Sequence, residues 1–118
     1  MAKHHLLGTT GEKIAANYLQ SKGFSILERN YRYKKAEIDL IARKDKLLLF
    51  VEIKTRSSDK FGFPEEFVNN RKMELFLMAA EEYVFQNNWN YDIRFDIVSV
   101  LASSNGNFSI HHIEDAFH

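Results

Sequence analysis

AEIDLIARKDKLLLFVEIK, residues 36–54, contains two apolar runs separated by a charged turn. This pattern predicts two adjacent β-strands, and the uninterrupted run LLLFV is typical of a central strand that is covered on both faces. Asp39, Glu52 and Lys54 nevertheless interrupt the apolar runs, at positions where an uncompensated charge is costly. Their presence in the middle of a sheet therefore calls for a specific role.

These three charged side chains are predicted to project from one face of the sheet. Side chains alternate along a strand, so Glu52 and Lys54 share a face. With a turn centred on residues 44–45, Asp39 lies opposite Phe50 and diagonal to Glu52, roughly 7–8 Å away between backbones. A turn longer by two residues places Asp39 directly opposite Glu52. All three side chains share one face in either register.

A converging pair of carboxylates needs positive charge beside it. At ~5 Å the pair repels by about 3 kcal/mol at an effective dielectric constant of about 20, which corresponds to roughly two pKa units. Lys54 supplies one cation, and a metal ion would supply more. Oxygen ligands without cysteine favour Mg²⁺, Mn²⁺ or Ca²⁺ over zinc. The alternative is a surface ion pair between Glu52 and Lys54, which contributes at most ~1 kcal/mol.

The rest of the chain predicts two helices and three further strands. The first helix is expected from about residue 10 to 22, and the second starts near Pro64, with Asn69 or Asn70 able to cap it again, and ends near Asn87. The strands are predicted in FSILERNYRY, at about 36–43 and 46–54, in YDIRFDIVSVLA and in FSIHHI. The expected order is α-β-β-β-α-β-β in one domain, residues 1–118.

Composition limits the class of protein. The chain has 118 residues, of which 45% are hydrophobic, and no cysteine, so disulfides and thiolate metal sites are excluded. Its longest apolar runs are far below the ~18 residues of a membrane span, and the N-terminus does not match a secretory signal. We therefore expect a cytoplasmic protein with no membrane partner.

The net charge is zero, but charge is unevenly distributed along the chain. Residues 22–60 carry eleven Lys or Arg against six Asp or Glu, whereas residues 61–118 carry three against nine. A basic segment of this kind is suited to a polyanionic partner. The alternative is that the two kinds of side chain interleave in space and cancel.

The strand pair resembles a known nuclease motif. Asp39 followed by Glu52-x-Lys54 is similar to PD-(D/E)-x-K, in which acidic residues on adjacent strands gather a divalent metal at a phosphodiester. The whole chain, from GEKIAANYL through FGFPEEFVNNRK to RFDIVSV, resembles the YraN-like bacterial family. That family is predicted to be endonuclease-like and related in fold to archaeal Holliday-junction resolvases. The resemblance implies an α/β fold, a restriction-endonuclease-like mixed sheet flanked by helices.

The resemblance also implies that Glu12 joins Asp39, Glu52 and Lys54 as catalytic residues, with Asp39 and Glu52 as the metal ligands. The alternative for Glu12 is a capping box with Thr9, three residues earlier. The chain departs from the family pattern at two places. Ile38 stands where the motif's name has proline, and Ala36 replaces an expected glycine.

Basic side chains around this cluster are the candidate DNA contacts. Arg56 and Lys72 match positions in the resembled pattern and are expected to contact phosphates, as are Arg29 and Arg32 on the preceding strand. Lys34 and Lys35 are better explained as protection of a strand edge. His111 and His112 point to opposite faces and are interpreted as structural or exposed, and Trp89 as a packing anchor.

The function that these patterns predict is a Mg²⁺- or Mn²⁺-dependent DNA endonuclease, with branched or junction DNA as its candidate substrate. Water would attack phosphorus in line, with Lys54 orienting or activating it and Glu12 assisting through a water. One alternative is a nucleic-acid-binding module of the same fold with little or no cleavage. Another is a protein-interaction domain that uses the acidic C-terminal half. A homodimer is compatible with each of them.

Overall fold

A computed structural model describes residues 3–57, 70–103 and 105–117. The elements follow in the order α1 (Lys3–Ser21), β1 (Ser25–Tyr33), β2 (Ala36–Lys44), β3 (Leu47–Ser57), α2 (Asn70–Gln86), β4 (Asp92–Ala102) and β5 (Phe108–Ile113). Helix α1 begins at Lys3, earlier than the predicted residue 10. The predicted helix start at Pro64 and the cap at Asn69 lie outside the described residues. No helix among those described is both long and apolar enough to cross a membrane.

The five strands form one sheet in the order β1-β2-β3-β4-β5. Strands β1, β2 and β3 pair antiparallel, β3 and β4 pair parallel, and β4 and β5 pair antiparallel. A parallel pair requires a long crossover, and α2 lies within the one that joins β3 to β4. The predicted mixed sheet flanked by helices is therefore confirmed.

The β2–β3 turn differs from the prediction by one residue. Asp45 and Lys46 form it, with Lys44 paired to Leu47, and Asp45 takes a positive φ of 53°. Leu47 is thus the first residue of β3, one residue later than the predicted start at about residue 46, and its apolar side chain is half-buried. The pairing of Asp39 with Phe50 was consequently wrong, because Phe50 pairs with Ile41. The ladder from Leu40–Val51 to Lys44–Leu47 has instead the register predicted for the longer turn, which places Asp39 opposite Glu52.

Both faces of the sheet are covered, which confirms that β3 is a central strand. Helix α2 covers one face, where Phe50, Phe76 and Ile97 belong to one buried cluster. Helix α1 covers the other face, where Leu19 and Val51 belong to a second cluster. Alternate residues of β3 therefore enter different cores, and its even-numbered residues point toward the α2 side.

Helix α1 approaches β3 very closely at Gly11. A Cβ atom added to Gly11 would lie 2.5 Å from the Thr55 Oγ1 atom, a separation at which the helix or the strand would have to move. Since Thr55 directly follows Lys54, this contact fixes α1 beside the same end of β3 that carries the charged cluster. Glu12 is the next residue of the helix.

Candidate active site

The charged residues gather where β2 and β3 separate. The last pair of the β2–β3 ladder is Leu40 with Val51, so Asp39 and Glu52 are the next residues on each strand. The Asp39 carboxylate accepts a hydrogen bond from the backbone N–H of Ile53, with 2.7 Å between Oδ2 and N. This side chain thus takes the place of a backbone partner at the point where the ladder ends.

A cleft of about 350 Å³ opens at this separation. Side chains from β2, β3 and α2 line it, among them Asp39, Glu52, Lys54 and Lys72. The sequence prediction that Asp39, Glu52 and Lys54 share a face agrees with this lining. The cleft is thus the one place where three of the four predicted catalytic residues meet, within the described ranges.

Asp39 and Glu52 form a close carboxyl pair inside the cleft. Glu52 is only 4% exposed, and its side chain shares a hydrogen bond with that of Asp39. Burial, and next the negative charge of Glu52, raise the pKa of Asp39 to about 7. A proton on Asp39 near neutral pH relieves the repulsion between the two carboxyl groups.

Two lysines supply positive charge to Glu52. Lys54 Nζ lies 3.4 Å from Glu52 Oε2, and Lys72 Nζ forms an ion pair with the same oxygen. Burial, and then the adjacent Lys72, lower the pKa of Lys54. Burial also acts to lower the pKa of Lys72, but its hydrogen bond to Glu52 and the charge of Glu52 outweigh that effect and raise it. Lys72 therefore contacts a carboxylate here, rather than standing apart as a phosphate contact.

The donor atoms of the cleft fit a hard divalent cation in part. Asp39 and Glu52 offer carboxylate oxygens only, and Mg²⁺ is commonly bound by one or two carboxylates together with water and substrate phosphate. No group of three or more His, Asp or Glu side chains suited to a metal occurs among the described residues. Any metal here would thus take the rest of its ligands from water and substrate.

The other predicted site residues lie outside the lining of this cleft, as far as the chain is described. Glu12 is half-buried on α1, and Arg56 is half-buried on β3 two residues beyond Lys54. Arg29 is exposed on β1, and the Arg32 Nε atom lies 3.6 Å from a Glu37 carboxylate oxygen at the surface. Because α1 begins at Lys3, Thr9 and Glu12 are interior helix positions, and a capping box does not account for Glu12.

Sequence reasoning missed a second buried carboxylate, Asp96, on the α1 side of the sheet. Asp96 is fully buried and accepts two hydrogen bonds of 2.9 Å from Arg94. It also lies 2.7 Å from His112 Nε2 and accepts from the backbone N–H of Asp115 at 3.0 Å. The Tyr18 hydroxyl completes the network at 2.9 Å from His112 Nδ1.

This network reverses the effect of burial on Asp96. Burial alone would raise the pKa of the carboxyl, but the hydrogen bonds from His112, Arg94 and the Asp115 backbone together lower it below its ordinary value. The interpretation of His112 as structural agrees with these contacts. The available signal was the charge that interrupts the apolar strand RFDIVSV, a pattern like that of Asp39.

Comparisons with known proteins identify relatives over the whole chain. The family model described as "Uncharacterised protein family UPF0102" matches residues 11–100. A UPF0102 protein of Flavobacterium psychrophilum is 48% identical over 100% of this chain and 98% of its own length. A UPF0102 protein of Clostridioides difficile is 46% identical over 93% of this chain and 95% of its own length.

Among solved structures, the chain is similar to SfsA of Pyrococcus furiosus in complex with Ca²⁺. The TM-score is 0.39 and the sequence identity 16%. The match covers 94% of this chain and 63% of that chain.

Proposed function

This chain belongs to the UPF0102 family, the YraN-like family that its sequence resembles, and we propose that it is a divalent-metal-dependent DNA endonuclease. The observation that carries the proposal is the pair formed by Asp39 and Glu52 in an open cleft, with Lys54 and Lys72 beside it. The proposed arrangement of the mixed sheet is the restriction-endonuclease-like one, with the site where β2 and β3 part.

The carboxyl pair is difficult to explain as a stabilising feature. Burying two carboxyl groups side by side costs free energy, and the raised pKa of Asp39 records that cost. Strongly perturbed carboxyl groups in a cleft are typical of sites that bind or transform a ligand. The arrangement is therefore best explained by an occupant that carries positive charge into the cleft.

Mg²⁺ or Mn²⁺ is the occupant that we propose, held by Asp39 and Glu52. When bound, such an ion would polarise the scissile phosphate as a Lewis acid. Glu52 is currently paired with Lys54 and Lys72, so a cation at Glu52 would compete with both ammonium groups. Lys72, the more exposed of the two, would then turn toward phosphate.

Lys54 is the residue that we propose to act on the attacking water. Its side chain is only 14% exposed, and its lowered pKa makes proton transfer easier than for a lysine in water. It can orient the water in line with the phosphodiester and stabilise the negative charge that develops on the phosphate. Glu12 keeps an assisting role in this proposal, because the Gly11–Thr55 contact holds it at the same end of β3.

The decisive experiment is cleavage of linear, flapped and four-way DNA by purified protein, with Mn²⁺ or with EDTA. We expect cleavage that requires the metal and falls by at least ~100-fold in Asp39→Asn and Glu52→Gln. Glu74→Gln is the matched control, because Glu74 is exposed on α2. Binding of DNA without any metal-dependent cleavage would instead support the binding-module alternative.

Glu12 has its own test. Glu12→Gln keeps the size of the side chain and removes its charge, so an assisting role predicts slower cleavage with an unchanged melting temperature. Wild-type cleavage by this variant would remove Glu12 from the site and leave the rest of the proposal in place.

A protein-interaction role has one observation in its favour. Helix α2 exposes Leu77, Met78 and Phe85, the last of them 78% exposed, next to Glu81 and Glu82. Exposed apolar side chains of this size often mark contacts with other proteins. If this surface binds a protein partner, replacing Phe85 with Glu should weaken that contact and leave DNA cleavage unchanged.

A further inference from the structure

We propose that the end of the sheet formed by the β2–β3 turn is a second nucleic-acid site, which binds single-stranded DNA. This hairpin-end surface consists of Lys22, Phe24, Arg43, Lys44, Lys46, Trp89 and Tyr91. It lies at the opposite end of β3 from the cleft. The inference rests on the proposed function only in that the bound strand is part of the DNA that enters the cleft.

Cations and aromatic rings alternate across this surface. The Arg43 guanidinium carbon lies 4.9 Å from the Trp89 ring centroid, and Lys46 Nζ lies 5.3 Å from that of Tyr91. The Trp89 and Tyr91 rings meet edge to face, with centroids 5.4 Å apart. These contacts make one continuous row of two cations and two rings.

A second cation–ring pair lies at the same end of the sheet, on the side covered by α1, where Phe24 packs against the second cluster. Lys44 Nζ lies 5.9 Å from the Phe24 ring centroid and donates a hydrogen bond of 2.8 Å to the Lys22 carbonyl oxygen. The surface has four cations, Lys22, Arg43, Lys44 and Lys46. The carboxylates Asp45 and Asp92 adjoin it in the chain, and Arg94 and Glu114 line one cavity together with Lys22, Phe24 and Lys44. The surface therefore has the charge needed to follow a phosphate backbone.

The rings differ in what they offer a ligand. Trp89 is partly buried against the core, and its Nε1–H donates to the Asp92 carbonyl oxygen at 2.9 Å, so it is an anchor. Tyr91 is 55% exposed and is supported at its edge by Trp89. An exposed, supported ring stacks on an unpaired base, whereas bases within a duplex are already stacked on one another. This chemistry favours a single strand.

The distance to the cleft sets the length of strand required. Leu47 lies at the hairpin end of β3 and Glu52 is five residues further on, which corresponds to roughly 17 Å at ~3.3 Å per residue. A strand stacked as in a duplex, with a phosphate every ~3.4 Å along its axis, spans this distance in about five steps, and a more extended unpaired strand spans it in fewer. The substrate class inferred is therefore DNA with an unpaired arm near the scissile phosphodiester.

The only tryptophan of the chain makes the binding test direct. In EDTA, where cleavage is absent, a thymidylate dodecamer should quench Trp89 fluorescence to saturation, with an affinity that falls as salt rises. A blunt duplex of the same length should bind at least ~5-fold more weakly. Equal quenching by the duplex or by polyglutamate would overturn the proposal, because it would show an unselective basic patch.

Variants assign the binding to the surface itself. Tyr91→Leu should weaken dodecamer binding by about 10-fold, and Tyr91→Phe should restore it, since stacking needs the ring and not the hydroxyl. Lys46→Ala should reduce the salt slope by about 0.7, while Lys13→Ala, at an exposed position of α1, should not. Unchanged binding in Tyr91→Leu would overturn the proposal.

The outcome is separable from that of the nuclease proposal. Quenching with no cleavage of any DNA would keep the hairpin-end surface and refute the endonuclease. If wild type and Tyr91→Leu cleave flapped DNA equally and the dodecamer does not quench Trp89, the endonuclease is kept and the hairpin-end surface is refuted.

Discussion

Asp39 and Asp96 are two aspartates withdrawn from solvent on opposite faces of one sheet, and their pKa values are shifted in opposite directions. Asp96 is surrounded by donors from Arg94, His112 and the backbone, which lower its pKa. Asp39 has one backbone donor and a second carboxyl group, and its pKa is raised to about 7. Burial acts on both residues, so the difference between their pKa shifts comes from their hydrogen-bond and charge partners.

Under the proposed function, this contrast separates a structural carboxylate, Asp96, from a ligand-binding one, Asp39. Asp96 joins α1, β4, β5 and the segment after β5 through satisfied hydrogen bonds, so its charge is fully compensated inside the protein. Asp39 is left with a deficit of positive charge that a ligand can supply. A buried acidic residue is therefore informative about function when its own protein does not satisfy it.

The largest effect on stability is expected at Asp96. Asp96→Ala leaves Arg94 and His112 without their buried partner, and we expect the free energy of unfolding to fall by 3–5 kcal/mol, approximately. At pH 5, where Asp39 is protonated in the folded protein, Asp39→Asn should change it by less than ~1 kcal/mol without metal, because both side chains are then neutral. Urea denaturation of both variants measures these changes, and an equal loss of unfolding free energy in the two variants would contradict the proposed difference between Asp39 and Asp96.

The pH dependence of stability should have opposite signs for the two residues. Asp39 binds its proton more tightly in the folded state, at a pKa of about 7 against 3.8, so its stabilising contribution is complete below pH 3.8 and is lost as pH rises through 7. From pH 5 to 8, metal-free wild type should lose ~2.5 kcal/mol relative to Asp39→Asn. The contribution of Asp96 is present above pH 3.8 and is lost as pH falls below it. Thermal unfolding across pH 3–8 tests both signs, and parallel curves for wild type and Asp39→Asn would contradict the first.

A divalent metal should stabilise the folded protein by binding at Asp39, on the face of the sheet that α2 covers, and not at Asp96. At ten times its dissociation constant, Mg²⁺ or Mn²⁺ should raise the free energy of unfolding by ~1.4 kcal/mol through binding to the folded state. The effect should be larger at pH 8 than at pH 6, because a proton on Asp39 competes with the metal. An equal shift of the melting temperature in wild type and Asp39→Asn would remove Asp39 from the ligands.

The smallest effect is expected from an exposed ion pair. The side chains of Arg32 and Glu37 are 76% and 40% exposed, so Arg32→Ala should change the free energy of unfolding by less than ~0.5 kcal/mol. The same variant should still reduce the salt slope of duplex binding by about 0.9 if Arg32 contacts a phosphate. A slope equal to that of Lys13→Ala would exclude Arg32 from the DNA interface.

The sequence predicted the cleft side of this comparison well. Asp39, Glu52 and Lys54 were recognisable because they interrupt apolar strands that are adjacent in the chain, and alternation along a strand does not depend on knowing the turn. The turn itself was misplaced by one residue, because the charged run from Arg43 to Lys46 offers several centres of similar quality.

The partners of Asp96 were not predictable by the same means. Its partners, Tyr18 and His112, lie far away in sequence, and only the order of strands in the sheet brings them together. The pairing of Lys72 with Glu52 was missed for a related reason, since it depends on how α2 crosses the sheet. Local pattern reveals a buried charge, and tertiary structure alone reveals its partner.

The topology also implies that the Asp39–Glu52 pair forms before the Asp96 network during folding. Strands β1, β2 and β3 are neighbours both in the chain and in the sheet, so Asp39 and Glu52 meet through local contacts that form quickly. The parallel pairing of β3 with β4 requires closure of the long crossover, which makes it the slow step of high contact order. On the ribosome, β4 and β5 emerge after β1, β2 and β3. A nascent chain can therefore bring its two repelling carboxyl groups together before Asp96 closes the sheet, and divalent cations in the medium should speed refolding.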